Sequence, residues 1–251
     1  MAGEKYIGSL LDLVLPRVCA VCGKRLGDGE EELCGECSDD IPYTYNWSMP
    51  HNEMADKFNA LVQRDLEKEG AFEFEEYSFA AALFFYRSGS DYRNLSRSLK
   101  YHGNVRLGRK VARLLGERLA ASPQFRDVDL VVPVPLHWTR KWKRGYNQAE
   151  IVAKEVAAAL GAGLEPKLLR RNRRTKTQTK LSGEAKARNV EGAFSPNTGR
   201  LEALGDAPRH VLLIDDVFTT GSTLIECRRS LRKVLGSDVR ISVATLGYVG
   251  Q

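Results

Sequence analysis

The 251-residue chain is 43% hydrophobic and 28% charged, the balance of a folded protein and far from the apolar-poor composition that leaves a chain disordered. That length accommodates one large core and a small appendage, because single cores stop growing near ~250 residues. A net charge of +6 suits an anionic ligand without demanding a nucleic acid, and no apolar run reaches the ~18 residues that would announce a membrane span.

The longest apolar stretch near the start, Ile7 to Leu15, is interrupted by Asp12. It lacks the basic lead and small-residue cleavage site of a signal peptide. No membrane insertion is expected, and the chain is expected in the cytoplasm, where thiols stay reduced.

Four of the five cysteines fall early, as Cys19-x2-Cys22 and Cys34-x2-Cys37 with eleven residues between the pairs. Two such knuckles bring four thiolates to one tetrahedral site, which suits zinc better than other common metals. With no open coordination position, Cys19, Cys22, Cys34 and Cys37 are expected to hold a structural ion. Metal binding would supply folding energy that so small a module cannot draw from its own core. The chain divides accordingly into a zinc-ribbon module at 1–46, a linker with a covering helix at 47–77 and a main domain at 78–251.

Within the linker, Met54 to Glu69 carries Phe58, Leu61, Val62 and Leu66 at helical spacing, which predicts the covering helix. Phe79 to Tyr86 reads as a strand, Tyr92 to Tyr101 and Val105 to Ala120 as helices, and Leu130 to Val134 as a buried strand bounded by prolines. Asn147 to Leu160 is an amphipathic helix ended by Gly161. The stretch from Lys167 to Lys180 holds seven basic and no acidic residues, so something negative is expected there. Val211 to Ile214 is a short apolar strand, Ser222 to Leu235 a helix, and Val239 to Leu246 a last strand. The alternation predicts an α/β fold, a parallel twisted sheet flanked by helices. Cys227, inside the last helix, reads as a small apolar residue.

The segment Val211-Leu-Leu-Ile-Asp-Asp-Val-Phe-Thr-Thr-Gly-Ser-Thr-Leu224 sets two carboxylates at a strand end, then small residues, then a helix start. A helix N-terminus offers unpaired N–H groups and a positive dipole end to a phosphate, and Gly221 lets the backbone come close. Hydroxyls of Thr219, Thr220, Ser222 and Thr223 can add hydrogen bonds. Asp215 and Asp216 stand where ligands bind in open α/β sheets and can accept from vicinal ribose hydroxyls. The ordinary alternative is a strand end followed by a Ser or Thr helix cap.

This segment closely resembles the binding signature of type I phosphoribosyltransferases. Val131-Val-Pro-Val-Pro-Leu-His137, Arg144-Gly-Tyr-Asn-Gln148, Arg174-Thr175, Thr177-Gln178, Arg188-Asn-Val-Glu-Gly-Ala-Phe194, Leu99-Lys-Tyr-His-Gly103 and the cysteines resemble the ComF family, which is associated with DNA uptake in natural competence. The resemblance spans nearly the whole chain and implies a ligand, 5-phosphoribosyl 1-pyrophosphate with Mg²⁺. Asp215 and Asp216 would hold its ribose, and Thr219 to Thr223 its 5-phosphate. Val134, Pro135, Leu136 and His137 would form the pyrophosphate loop, and Arg174 to Arg188 a mobile loop over the reaction centre. Departing pyrophosphate gathers negative charge, which Arg140, Lys143, Arg144, Lys176 and Arg188 are placed to stabilise, Arg144 and Arg188 foremost. Many ComF-like chains carry a second set of paired cysteines; this one does not, so a single zinc is expected.

Three functions remain open on this reading. The chain transfers a phosphoribosyl group to an unnamed acceptor, or it keeps the ligand site as a sensor that handles single-stranded DNA, or it is a zinc adaptor with no ligand. Trp138, Trp142 and Tyr146 interleave with Arg140, Lys141, Lys143 and Arg144, the mixture that single-stranded nucleic acid favours. The same charges could instead serve only the small ligand, with Trp138 and Trp142 packed beneath. His102 and His137 could act in proton transfer, against the commoner structural role. Contact with DNA-uptake machinery is implied only by the family.

Overall fold

Val211-Leu-Leu-Ile214 is apolar at every position because both faces of its strand are covered. In the computed structural model, which describes residues 16–70, 75–87, 89–101, 104–173 and 190–250, Leu212 and Ile214 pack with Leu107, Leu115, Val152 and Val156. Val211 and Leu213 face the other way, onto Phe58, Leu224, Cys227 and Leu231. One core therefore lies under helices Val105–Ala120 and Gln148–Leu160, and the other under helices Glu53–Glu69 and Ser222–Leu235.

The sheet between them has five parallel strands in the order β1-β7-β6-β2-β3, where β1 is Ala80–Phe85, β2 Leu130–Pro133, β3 Gly163–Leu164, β6 His210–Phe218 and β7 Arg240–Tyr248. A separate antiparallel ribbon joins β4 (Leu169–Arg171) to β5 (Phe194–Pro196). The parallel α/β class expected from the alternation is what forms. Two strands run further than their apolar cores suggest: β6 continues past Ile214 to Phe218, and β7 to Tyr248, because Val217 pairs with Gly247 and Phe218 with Tyr248. The short helix Trp138–Arg144 and strand β3 carry no period long enough to be read beforehand. Among the described residues no helix is long and apolar enough to cross a membrane.

Close packing fixes the helices. A Cβ on Gly116 would stand 2.8 Å from Ala159 Cβ, so this glycine is what lets Val105–Ala120 approach Gln148–Leu160. On the opposite face, Arg229 pairs with Asp65, and Arg232 donates to Glu75 at 2.7 Å. Arg228, almost fully buried, pairs with the same Glu75. Asn52 anchors the start of Glu53–Glu69: its Oδ1 accepts from Ala55 N at 3.0 Å, and its Nδ2 donates to Ala80 O of β1 at 3.0 Å.

The cysteine-bearing segment packs into the main core. Val21, Leu26, Leu33 and Ile41 share one cluster with Leu83, Leu95 and Leu107. Tyr92 Oη donates to Cys37 O at 3.0 Å, and Asn104 Nδ2 to Glu32 Oε2 at 2.5 Å. The chain leaving it forms an antiparallel bridge at Tyr43 and Phe84, with Phe85 N donating to Pro42 O at 2.8 Å. That bridge covers the outer edge of β1, an edge that would otherwise offer unpaired backbone groups to other chains.

At the opposite end of β6, His210 is 2% exposed. Its Nδ1 meets Asp127 Oδ1 at 3.0 Å, and its Nε2 meets Ser242 Oγ at 2.8 Å, which in turn accepts from Phe79 N. The chain of bonds is complete with a neutral ring: Ser242 donates to Nε2, and Nδ1–H to Asp127. Burial lowers the His210 pKa despite the opposing pull of Asp127. Because the folded value lies below the unfolded one, the unfolded chain takes up the proton first, and stability falls with pH below about 6.5. Urea midpoints should drop between pH 7.5 and 5.5, and His210→Gln should flatten that dependence; an unchanged slope in the variant would refute the assignment.

Candidate ligand crevice and metal centre

The connections on either side of β2 and β6 run in opposite directions. From β2 the chain crosses to β3 at one edge; from β6 it crosses to β7 on the other side. Adjacent parallel strands whose crossovers diverge leave a crevice beyond their C-terminal ends, the usual ligand position in such sheets. Both loops singled out in the sequence, 134–137 and 219–223, open there.

Asp215 and Asp216 lie within β6, beside the pairing of Asp215 with Thr245, and both are partly exposed. Successive strand residues point to opposite faces, so the two carboxylates straddle the strand. Asp215 accepts from Asp216 N at 2.8 Å. Burial pushes the Cys227 thiol well up, and the Asp215 carboxylate adds to the effect. Cys227 is thus an apolar neighbour of the site, as expected from its helical setting.

Gly221 is the N-cap of Ser222–Leu235 with φ +74°, a left-handed conformation that glycine adopts without cost. A Cβ there would meet Leu61 Cδ1 at 2.6 Å and Phe218 Cζ at 2.9 Å. The glycine is required twice, by its dihedral and by the covering helix pressed against it. Thr220 Oγ1 and Ser222 Oγ lie 2.9 Å apart, leaning over a helix start of the kind that offers N–H groups to anions. Thr219 is exposed, and Thr223 is partly buried on the first turn.

Across the crevice, Val134 N donates to Ile214 O at 2.8 Å, tying the other loop to β6. Asn147 is 8% exposed; its Nδ2 donates to Val134 O at 3.0 Å, while Oδ1 accepts from Ala149 N at 3.3 Å. One side chain therefore caps helix Gln148–Leu160 and pins the loop. Pro135 is buried and Leu136 partly so. His137 is also buried, with Nδ1 2.8 Å from Thr139 Oγ1, the structural setting rather than an exposed proton shuttle. Arg144 Nη1 donates to Gln148 Oε1 at 3.1 Å, so a buried amide orients this guanidinium.

Trp138 and Trp142 are 71% and 88% exposed, which overturns the expectation that they could pack beneath the charges. A seven-residue helix at the surface has no second layer to receive them. His102, Lys176 and Arg188, with the segment read as a mobile loop, lie outside the described residues, and of Arg140, Lys141 and Lys143 only the backbone is described. Asn147 and Gln148 carry no assigned role in the sequence reading, although both stand in the stretch Arg144-Gly-Tyr-Asn-Gln148 that resembles the ComF family. Leu61 offered none, since its contact with Gly221 joins segments remote in sequence.

The four cysteines converge at a separate place, beside helices Arg93–Tyr101 and Val105–Ala120. Their sulfurs lie within 4.8 Å of one another, with Cys22 and Cys34 at 3.8 Å. Tetrahedral zinc with sulfurs at about 2.3 Å sets neighbouring sulfurs about 3.8 Å apart. Burial opposes ionisation of Cys19, but backbone N–H groups of Cys22, Cys34 and Val21 outweigh it and bring the thiol from 9.0 down to about 7. Burial instead drives the Cys37 thiol up. Four sulfurs this close together are reconciled by a central cation that stabilises their thiolates.

Residues 10–47 match the family described as a double zinc ribbon domain. The chain's cysteines in that stretch suffice for one four-sulfur centre. It is 32% identical over 150 residues to Competence protein F of Haemophilus influenzae, covering 59% of this chain and 64% of that protein. It is 32% identical to DNA utilization protein YhgH of Salmonella typhi over 59% of this chain and 63% of that one. Identity to the Escherichia coli K12 YhgH is 38% over 113 residues, 45% and 47% of the two chains. The chain thus spans slightly less than two thirds of the length of the first two of these relatives and about half of the third. Among solved structures, adenine phosphoribosyltransferase from Leishmania tarentolae aligns over 63% of this chain and 76% of its own, at 14% identity and a TM-score of 0.31.

Proposed function

Since this chain belongs to the ComF family, we propose that its crevice binds 5-phosphoribosyl 1-pyrophosphate with Mg²⁺ and that the protein serves the handling of incoming DNA, as the names of its relatives suggest. The observation that carries this is the pairing, at one switch point, of an acidic strand end running into a glycine-capped helix with a second loop tethered by Asn147. The carboxylates of Asp215 and Asp216 accept from the ribose hydroxyls. The loop from Thr219 to Thr223 takes the 5-phosphate through N–H groups and hydroxyls. Val134 to His137 line the pyrophosphate end, with Arg144 and, from the segment beyond, Lys176 and Arg188 countering its charge. Magnesium would come in with the phosphates of the ligand and would supply neutralisation of their charge, so few protein ligands are needed. In this reading residues 1–46 are the zinc-held module, 47–77 the linker with its covering helix and 78–251 the ligand-binding domain.

Transfer of the phosphoribosyl group breaks the bond from the anomeric carbon to pyrophosphate and forms one to an acceptor. Its natural test is release of pyrophosphate from the ligand with candidate bases or cell extract. A second reading is favoured by the exposure of Trp138 and Trp142: the ligand gates a surface on which single-stranded DNA stacks. Titration calorimetry with phosphoribosyl pyrophosphate, with and without Mg²⁺, comes first. Binding with pyrophosphate release supports the enzyme, binding without turnover the sensor, and no binding in either condition rejects both.

A further inference from the structure

Between Tyr92 and Gly116 the chain has seven basic residues and no acidic one, and the exposed Glu117 then closes the row at the far end of the same helix face. Arg106, Arg109, Lys110 and Arg113 lie on helix Val105–Ala120, all exposed, while Leu107, Val111, Ala112, Leu115 and Leu119 are buried. At 100° per residue the four basic positions fall within an arc of about 100°. They rise about 10 Å along the axis. Arg113 is ion-paired with Glu155 at 3.5 Å. Among the described residues, Arg106, Arg109 and Lys110 have no acidic partner.

We infer that this outer helix face is a track for the phosphodiester backbone of a nucleic acid, separate from the ligand crevice. The shape argues for an extended polyanion: on a convex helix the charges lie in a row and do not converge, so they fit successive phosphates better than one small anion. Arginine predominates, and its planar fork suits phosphate oxygens. A membrane surface would ask for an apolar side to bury, and a protein partner for aromatic anchors. The large exposed apolar residues of the described chain, Val18, Tyr45, Met49, Trp138 and Trp142, all lie off this helix. Binding here is therefore electrostatic, indifferent to base sequence and steeply dependent on salt.

The test compares the full-length zinc-loaded protein with the variant Arg106→Ala, Arg109→Ala, Lys110→Ala, using labelled oligothymidine, a labelled duplex and a salt series. Alanine preserves an exposed helix, and circular dichroism with thermal melting checks that it has. Three lost contacts should flatten the slope of log K against log salt by about 2 for a single strand and about 3 for a duplex. At about 0.1 M salt the single strand should bind about a hundredfold more weakly than to the native chain, with the two converging near 1 M. The larger loss identifies which form lies on the track. Phosphoribosyl pyrophosphate binding, whatever its strength, should not change, so failure of the crevice reading and failure of this one are distinguishable. An unaltered slope, absence of oligonucleotide binding by the native chain, or equal competition by polyglutamate would each overturn the inference. So would loss of binding in Trp138→Ala, Trp142→Ala alone.

Discussion

Replacing Asp215 and Asp216 together by asparagine is expected to weaken phosphoribosyl pyrophosphate binding by about 150-fold in the presence of Mg²⁺, while leaving the melting temperature nearly unchanged. A hydrogen bond to a charged group contributes about 1.5 kcal/mol or more, so two lost carboxylate acceptors amount to about 3 kcal/mol. Asparagine keeps the volume and one acceptor oxygen, and both positions are partly exposed, so packing should survive. Calorimetry on the variant, beside Thr219→Val as a milder change, reads the effect. Affinity left at the native value would remove the basis for any phosphoribosyl chemistry in this crevice. The metal centre would be untouched by that result.

Withdrawing the zinc should do the reverse, damaging stability before ligand chemistry. Val21, Leu26, Leu33 and Ile41 share the main cluster with Leu83, Leu95 and Leu107, so a module that unfolds for want of metal uncovers part of the principal core. Each large apolar side chain returned to water costs about 1.5–3 kcal/mol. For a chain of this size each kcal/mol moves the melting temperature by about 2–4 °C. Cys34→Ser, or exhaustive chelation, should therefore lower the melting temperature by about 10 °C or more. One equivalent of zinc should be released per chain, measurable with a chromogenic chelator. Chelation that leaves the melting curve in place would mean that the four sulfurs are not a structural metal site. Cys227→Ser, at a buried position away from the cluster, should release no zinc and so serves as the control.

The parts of this protein set out beforehand are those whose physics is local. Cysteine spacing defines a four-sulfur site because two short knuckles bring their own ligands together. The apolar run from Val211 to Ile214 announces a strand covered on both faces. Asp215 to Thr223 announces strand, loop and helix start in a single stretch. The helices read from Met54, Val105 and Asn147 follow from apolar spacing within each segment, and the structure adds the caps that start them at Asn52, Asn104 and Asn147.

What only the tertiary structure decided are relations between distant segments. Whether the loop at 134–137 faces Asp215 depends on β2 lying beside β6, a strand pairing that spans some eighty residues of chain. Leu61 closing on Gly221, Gly116 admitting Ala159, and Asn147 holding Val134 each need two segments already in place. Trp138 and Trp142 show the same limit from the other side: an aromatic residue reads alike in sequence whether buried or bare. Local periodicity states which face of an element wants cover; the packing of the whole chain settles which faces receive it.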